Sequence, residues 1–267
     1  MDEILRLLRA ARLRPVAEFG RETAPLPEDK KKGRSTWARA PLMWDTLEDA
    51  YKRGHEALKE NLDFLAEQER VGRERSLIYK TLTLTGLRKG ELASITVGQL
   101  YFDAPQPHVD LLAKDEKSGR GAKIPLRGDL IADLRAWLGE KLAILQEEAR
   151  SKGEPLPLRL PHDEPLFCVP SGLIRIFDRD LEAAGIPKED ERGRTVDIHA
   201  LRHTFGTHLS KNGVAPRTAQ AAMRHSKLEL TMNVYTDPEL LDVAGAMGAL
   251  PQLDGRTRDE QHATGTE

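Results

Sequence analysis

One cysteine, Cys168, is all the thiol chemistry in the sequence. A lone thiol closes no internal disulfide and builds no thiolate zinc site, and it suits a reducing compartment. No run of eighteen apolar residues occurs, so the sequence offers no membrane-spanning helix. The opening "MDEILRLLRAARLRP" puts acids first and bases throughout, a poor match to a signal peptide, and cytoplasm is the expected compartment. Internal repeats are absent. So is a strong excess of either charge: the net value of −2 argues against a protein that coats nucleic acid indiscriminately. What remains is 267 residues, 39% hydrophobic and 31% charged, enough for one large soluble domain or two small ones.

The bulk charge conceals a local excess. From His199 to Thr236, Arg202, Lys211, Arg217, Arg224 and Lys227 stand against Glu229 alone, and four histidines share the window. Acids gather elsewhere, in "EALKENLDFLAEQE" and "EKLAILQEE". Inside the basic window, "DIHALRHTFGTHL" has the pattern of an amphipathic helix. Residues three or four apart share a helix face, so His199, Arg202 and His203 project into one patch while Leu201, Phe205 and Leu209 turn toward a core. An anion grip, a zinc site and a plain solvated face all fit that patch. Zinc fits worst: "HALRH" has Ala where a helical metalloprotease pair needs its glutamate, and Arg202 stands between the two imidazoles. No metal is expected.

Along the chain, "DEILRLLRAARL" predicts a helix, and the Pro-, Lys- and Arg-rich stretch within 14–43 predicts a loop or insertion. Helical periodicity returns over 44–69 and from Arg73 through Thr83, followed by a turn at Gly86 and a further helix. "VGQLYF", "HVDLLA" and "AKIPL" are short β-type runs that predict a three-stranded antiparallel sheet, the last two bracketing the charged tip "KDEKSGRG". A long amphipathic helix then ends at Gly153 with Lys and Arg in its last turns, and another over 171–184 ends at Gly185. Short helices over 199–212, 216–224, 229–236 and 238–249 precede a polar tail, 251–267. The expected fold is α+β and mainly α-helical.

Three motifs then follow in order: "LTGLRKGEL", "HALRHTFGTHL" and "MRHSKLELTMNVYT", with the charged β-hairpin between the first and second. Together they resemble the tyrosine recombinases, the phage-integrase class of DNA strand-exchange enzymes, over roughly 1–250. Breaking a phosphodiester needs a nucleophile, a clamp on the non-bridging oxygens and a proton for the departing oxygen. The resemblance implies that Tyr235 is the nucleophile. A phenol with a pKa near ~10 is ionised only to about one part in a thousand at neutral pH, and nearby cations favour the phenolate. Arginine presents a planar fork that matches two phosphate oxygens, and the resemblance points to Arg88 and Arg202. His225 would add a hydrogen bond to the same phosphate, and His199 would assist proton movement. Glu91, one turn after Arg88, would hold its guanidinium or take the acidic position seen in this family, and His203 stands beside the set. The general acid for the leaving 5′-oxygen is implied to be a hairpin lysine. Lys117 fits better than Lys114, counting back from "IPL".

The chemistry so implied passes through a covalent 3′-phosphotyrosine and needs no cofactor, because bond energy is kept in the link. The implied partner is double-stranded DNA at a specific recombination site. Four protomers would assemble around two duplexes, with a monomer in the absence of DNA, and helix 238–249 would dock on a neighbouring protomer. The implied layout is a catalytic domain over 1–250 and a flexible tail over 251–267. The family's N-terminal DNA-clasping domain is expected to be missing, with DNA affinity weak and salt-sensitive as a result. Two features depart from the family pattern. Arg224 stands where a glycine usually precedes the third-motif histidine, and the spacing to Tyr235 is one residue longer.

Taken singly, each of these residues has an ordinary explanation: Arg88 at a helix start, Lys117 in a charged turn, His203 and Tyr235 in packing. Arg217, Arg224 and Lys227 fit phosphate-backbone contacts and simple solubility equally well. Two other functions use similar residues, a type IB topoisomerase and a DNA-binding accessory protein without cleavage. His199 favours the recombinase over the first, and the intact set of six counts against the second.

Overall fold

Acids in a first helical turn complement the helix dipole, and α1 (Asp2–Ala17) begins with Asp2 and Glu3. The computed structural model describes residues 2–25, 37–116, 119–190, 193–229 and 231. Helix α1 buries Leu7, Ala10, Ala11, Leu13 and Val16. It runs through Pro15 to Ala17, past the point where the sequence pattern predicts a loop from residue 14. The reason is burial: Leu13, Val16 and Ala17 pack against the core, and Arg14 finds a buried partner. After a 3-10 turn over Glu18–Gly20, strands β1 (Thr23–Pro25) and β2 (Trp37–Arg39) pair antiparallel, Ala24 opposite Ala38. The predicted loop over 14–43 is thus a helix end and part of a hairpin. These strands have three residues each and are mostly exposed, so they carry no alternation by which a sequence pattern could reveal them.

Helix α2 (Leu47–Leu58) is followed by α3 (Leu62–Thr85), one continuous 24-residue helix where the periodicity suggests two. Asn61 caps α3, its side chain accepting from the Phe64 N–H at 3.2 Å. Helices α1 and α3 cross closely because α3 has Gly72 there: a Cβ on it would lie 2.0 Å from the Arg12 carbonyl oxygen. Helix α3 ends at Gly86, in the left-handed conformation with φ 60°. The turn leads into α4 (Lys89–Ser94).

The predicted three-stranded antiparallel sheet is present, in the order β3 (Leu100–Tyr101), β4 (His108–Leu111) and β5 (Ala122–Pro125), with Leu100 opposite Val109 and Val109 opposite Ile124. Val109, Leu111 and Ile124 point into the core, and Asp110 and Lys123 point away, as strand geometry requires. Helix α5 (Gly128–Lys152) ends at Gly153 as predicted and buries Trp137, whose indole N–H donates to the Leu166 carbonyl at 2.8 Å. Helices α6 (Leu173–Ala183), α7 (Ala200–Lys211) and α8 (Pro216–Met223) follow. The protein is mainly helical α+β.

One cluster, including Leu82, Leu87, Leu92, Ile95, Leu134 and Phe177, gathers α3 to α6, the sheet and α7, and a second, including Leu13, Leu47 and Ala184, joins α1, α2 and the end of α6. Beside them, a buried polar knot joins α1, α3 and α6. Asp180, with no exposed surface, accepts from Arg14 Nε at 2.5 Å and from the Tyr79 hydroxyl at 2.7 Å. Burial, then the Asp180 charge and hydrogen bond, push the Tyr79 phenol above its ordinary range, so that tyrosine is a structural donor. Lys117, Tyr235, helix 238–249 and the tail 251–267 lie outside the described residues.

Candidate functional site

The turn from Thr85 to Glu91 is the floor of the site. Arg88 is the N-cap of α4 and Glu91 its third residue. The spacing lets the Glu91 carboxylate accept the Arg88 backbone N–H at 2.9 Å and the Arg88 guanidinium at 2.5 Å. The pairing expected from sequence is therefore in place. The Glu91 side chain is 3% exposed, against 31% for Arg88. Burial resists ionisation of Glu91, but the Arg88 N–H and the charges of Arg224 and Arg88 outweigh it and hold the carboxyl below its usual range.

Helix α7 supplies the second arginine. Arg202 is 2% exposed, and its guanidinium donates to the carbonyl oxygens of Gly86 and Met223. Those two contacts fasten α7 to the first-motif turn and to the end of α8. His199 is the N-cap of α7; its N–H is taken by Asp197 Oδ1 at 2.8 Å, and its ring stands edge-on to His203 with centroids 5.0 Å apart. Burial and then Arg202 push His199 down, while burial and then His199 push His203 down.

The third motif arrives from the end of α8. His225 Nδ1 lies 3.0 Å from the Thr231 hydroxyl, and Thr231 is itself buried. Burial, then the charges of Arg202, Arg88 and Arg224, push the His225 imidazole down to about 4. It is neutral at physiological pH, so the positive charge of the site sits on guanidinium groups. Arg224 does not face solvent: its side chain is 8% exposed and turns inward to Glu91 Oε2 at 2.9 Å. Thr231 and the inward Arg224 are features that motif spacing alone does not reveal.

Arg88, Glu91, His199, Arg202, His203, Arg224 and His225 thus gather in one place from three separate segments of the chain. Arg217 and Lys227 are exposed, and Lys114 is exposed on the β4–β5 connection. Among the described residues no group of three or more His, Cys, Asp or Glu side chains could hold a metal ion. No described helix is long and apolar enough to cross a membrane.

Fold and site together define a mainly helical domain that brings three arginines and three histidines around one turn. Residues 55–240 match the model of the phage integrase family, and the chain belongs to that family as a tyrosine recombinase or integrase catalytic domain. A tyrosine recombinase XerC-like protein of Caldanaerobacter subterraneus subsp. tengcongensis is 26% identical over 178 residues, covering 57% of this chain and 42% of that protein. An integrase/recombinase of Escherichia coli is 30% identical over 215 residues, covering 67% of this chain and 60% of that protein. Among solved structures, the XerA recombinase is similar at 18% identity and a TM-score of 0.49, covering 76% of this chain and 75% of that one. The chain spans about two fifths to three fifths of the length of these curated relatives.

Proposed function

We propose that the chain cleaves and rejoins DNA strands at a specific recombination site through a phosphotyrosine. The Tyr235 oxygen attacks a backbone phosphorus as its proton passes, with help from His199, to water. The bond from phosphorus to the 5′-oxygen breaks, and that oxygen takes a proton from Lys117, with Lys114 as the alternative donor. A 3′-phosphotyrosine and a free 5′-hydroxyl result. Attack by the hydroxyl of a second strand reverses these steps and frees the tyrosine. Arg88 and Arg202 hold the non-bridging oxygens and neutralise the charge that grows in the transition state, where preorganised donors act most strongly. His225, neutral and anchored on Thr231, adds a hydrogen bond. His199 assists proton movement, with His203 packed against it.

The observation that carries this reading is the joining of Arg202 to the turn that bears Arg88, through the Gly86 carbonyl. A solvated helix face does not call for two motifs to bring guanidinium groups to one turn beside two histidines. The test is a DNA substrate nicked near the cleavage point, which loses its short fragment and traps the adduct. The wild-type chain accumulates a covalent complex and Tyr235→Phe accumulates none. An adduct that persists in Tyr235→Phe overturns the assignment, and site-independent relaxation of supercoiled plasmid moves it to a topoisomerase.

The partner in this reading is duplex DNA, met in the cytoplasm. Arg217 and Lys227 contribute backbone phosphate contacts, and the chain is a monomer until DNA assembles four copies. The segment 238–249, with Leu240, Leu241, Val243 and Met247, would dock on a neighbouring copy. An apolar cleft of about 350 Å³ between α1, α3 and α7, lined by Leu5, Leu8, Leu84, Phe205 and Leu209, supports that part of the reading.

A further inference from the structure

Position 224 combines a residue and a conformation that rarely meet. Arg224 has φ 52° and ψ 41°, and it is the one non-glycine residue with positive φ among the described residues. Glycine adopts this left-handed turn without steric conflict, and an arginine there needs something to hold it. Its side chain supplies the hold. The guanidinium folds back to Glu91 Oε2 at 2.9 Å, the Gly86 carbonyl at 3.1 Å and the Thr85 carbonyl at 3.5 Å. All three acceptors belong to the first-motif turn.

The consequences run in three directions. His225 follows Arg224 directly, so tying down Arg224 sets the backbone from which the imidazole projects. Glu91 is shared: one oxygen takes Arg224 together with the Arg88 N–H, and the other takes the Arg88 guanidinium. Moving Arg224 therefore turns the carboxylate that orients Arg88. The third direction is the β4–β5 connection. Glu116, 8% exposed, is near enough for its charge to act on Arg224, and it immediately precedes Lys117. Arg224 Nε and Glu116 Oε2 are both buried without a hydrogen-bond partner among the described residues.

We propose that Arg224 is a positioning residue, tying the third motif to the first so that His225 and Arg88 face one phosphate. This rests on the phosphoryl-transfer reading above. Arg224 acts on the reaction through Glu91 and the backbone of His225 in this account, and not on the substrate itself. Charge alone is not its contribution either. A lysine would bring the same charge, but an ammonium lacks the planar fork that spans a carboxylate and two carbonyls.

The experiment compares Arg224→Gly and Arg224→Lys with the wild type. Single-turnover cleavage of the nicked substrate falls on the order of 100-fold in Arg224→Gly and about 10-fold in Arg224→Lys, as a misplaced reacting group should give. DNA affinity stays within about 3-fold, because remote phosphate contacts dominate it. In the protein without DNA, side-chain NMR shows displaced Arg88 guanidinium resonances in both variants. His225 titrates higher in Arg224→Gly and stays low in Arg224→Lys, which keeps the charge. Arg224→Gly cleaving at the wild-type rate overturns the proposal, and so does a loss confined to DNA affinity or to melting temperature. If Arg224→Gly does not fold, Arg224→Lys decides by the same criteria. If the wild type forms no adduct, the cleavage reading fails by itself. The Arg88 and His225 resonances of the DNA-free protein then decide the positioning role, and unchanged resonances in Arg224→Gly end it.

Discussion

Arg202 donates to the carbonyl oxygen of Gly86, a residue 116 positions earlier and two before Arg88. That contact places the guanidinium of α7 and the guanidinium at the start of α4 on the same turn. Gly86 also accepts from Arg224, so one backbone oxygen serves two arginines from the C-terminal half. The geometry of this turn therefore governs the site, and it is the most informative place to perturb.

Gly86→Ala tests that. With φ 60°, an added Cβ would lie 2.4 Å from Phe205 Cδ1 on α7. Left-handed strain and the clash together should destabilise the fold by about 1–3 kcal/mol in urea unfolding. Gly90→Ala, with nothing within 4 Å of its new methyl, is the control and should be neutral or slightly stabilising. Equal midpoints for the two variants would show that the turn yields freely.

The pH dependence follows from His225. Its folded pKa is depressed to about 4, by burial first and then by Arg202, Arg88 and Arg224. Unfolded, it returns to ~6.5. Between those values the unfolded chain binds more protons, so stability falls as pH drops from about 6.5 toward 4. Urea midpoints measured at pH 7 and pH 5 should differ in that sense, and His225→Gln should reduce the difference, leaving the share of His199 and His203, which are also pushed down. A bound phosphate analogue should raise the His225 titration, because an anion offsets the guanidinium charges. An unchanged titration on binding would place the anion elsewhere.

Much of this site was legible before the fold was known, and for physical reasons. A glycine marks the end of α5, and alternation marks β4 and β5, because these features are local. The Arg88–Glu91 pairing was legible because residues three apart on a helix start meet by geometry. The left-handed Arg224 was visible only as an arginine where the family has glycine, since nothing in local periodicity tells that its side chain turns inward. Thr231 under His225 was likewise hidden: a small polar residue carries no signal until its partner is placed. The β1–β2 hairpin escaped because its strands are short and exposed, and α1 ran longer than predicted because Arg14 has its partner 166 residues away.

That distant partner gives a prediction outside the site. Asp180→Ala leaves Arg14, 4% exposed, beside a lost counter-charge and removes the acceptor of the Tyr79 hydroxyl. Breaking a buried pair from one side costs about 3–5 kcal/mol. Urea unfolding of Asp180→Ala should show a loss of that order, with cleavage by the folded fraction unchanged. A loss under about 1 kcal/mol would mean that the knot is wetter or more yielding than its burial implies.

The central claim is that Arg88 and Arg202 hold one DNA phosphate between them. A double-mutant cycle on the rate of phosphotyrosine formation, using Arg88→Ala, Arg202→Ala and the pair, tests it most directly. Two groups gripping one anion act as a unit, so the double variant should lose far less than the sum of the single losses, with a coupling of at least about 1 kcal/mol. Strict additivity of the two losses would mean that each arginine acts at a separate place, and would contradict the account.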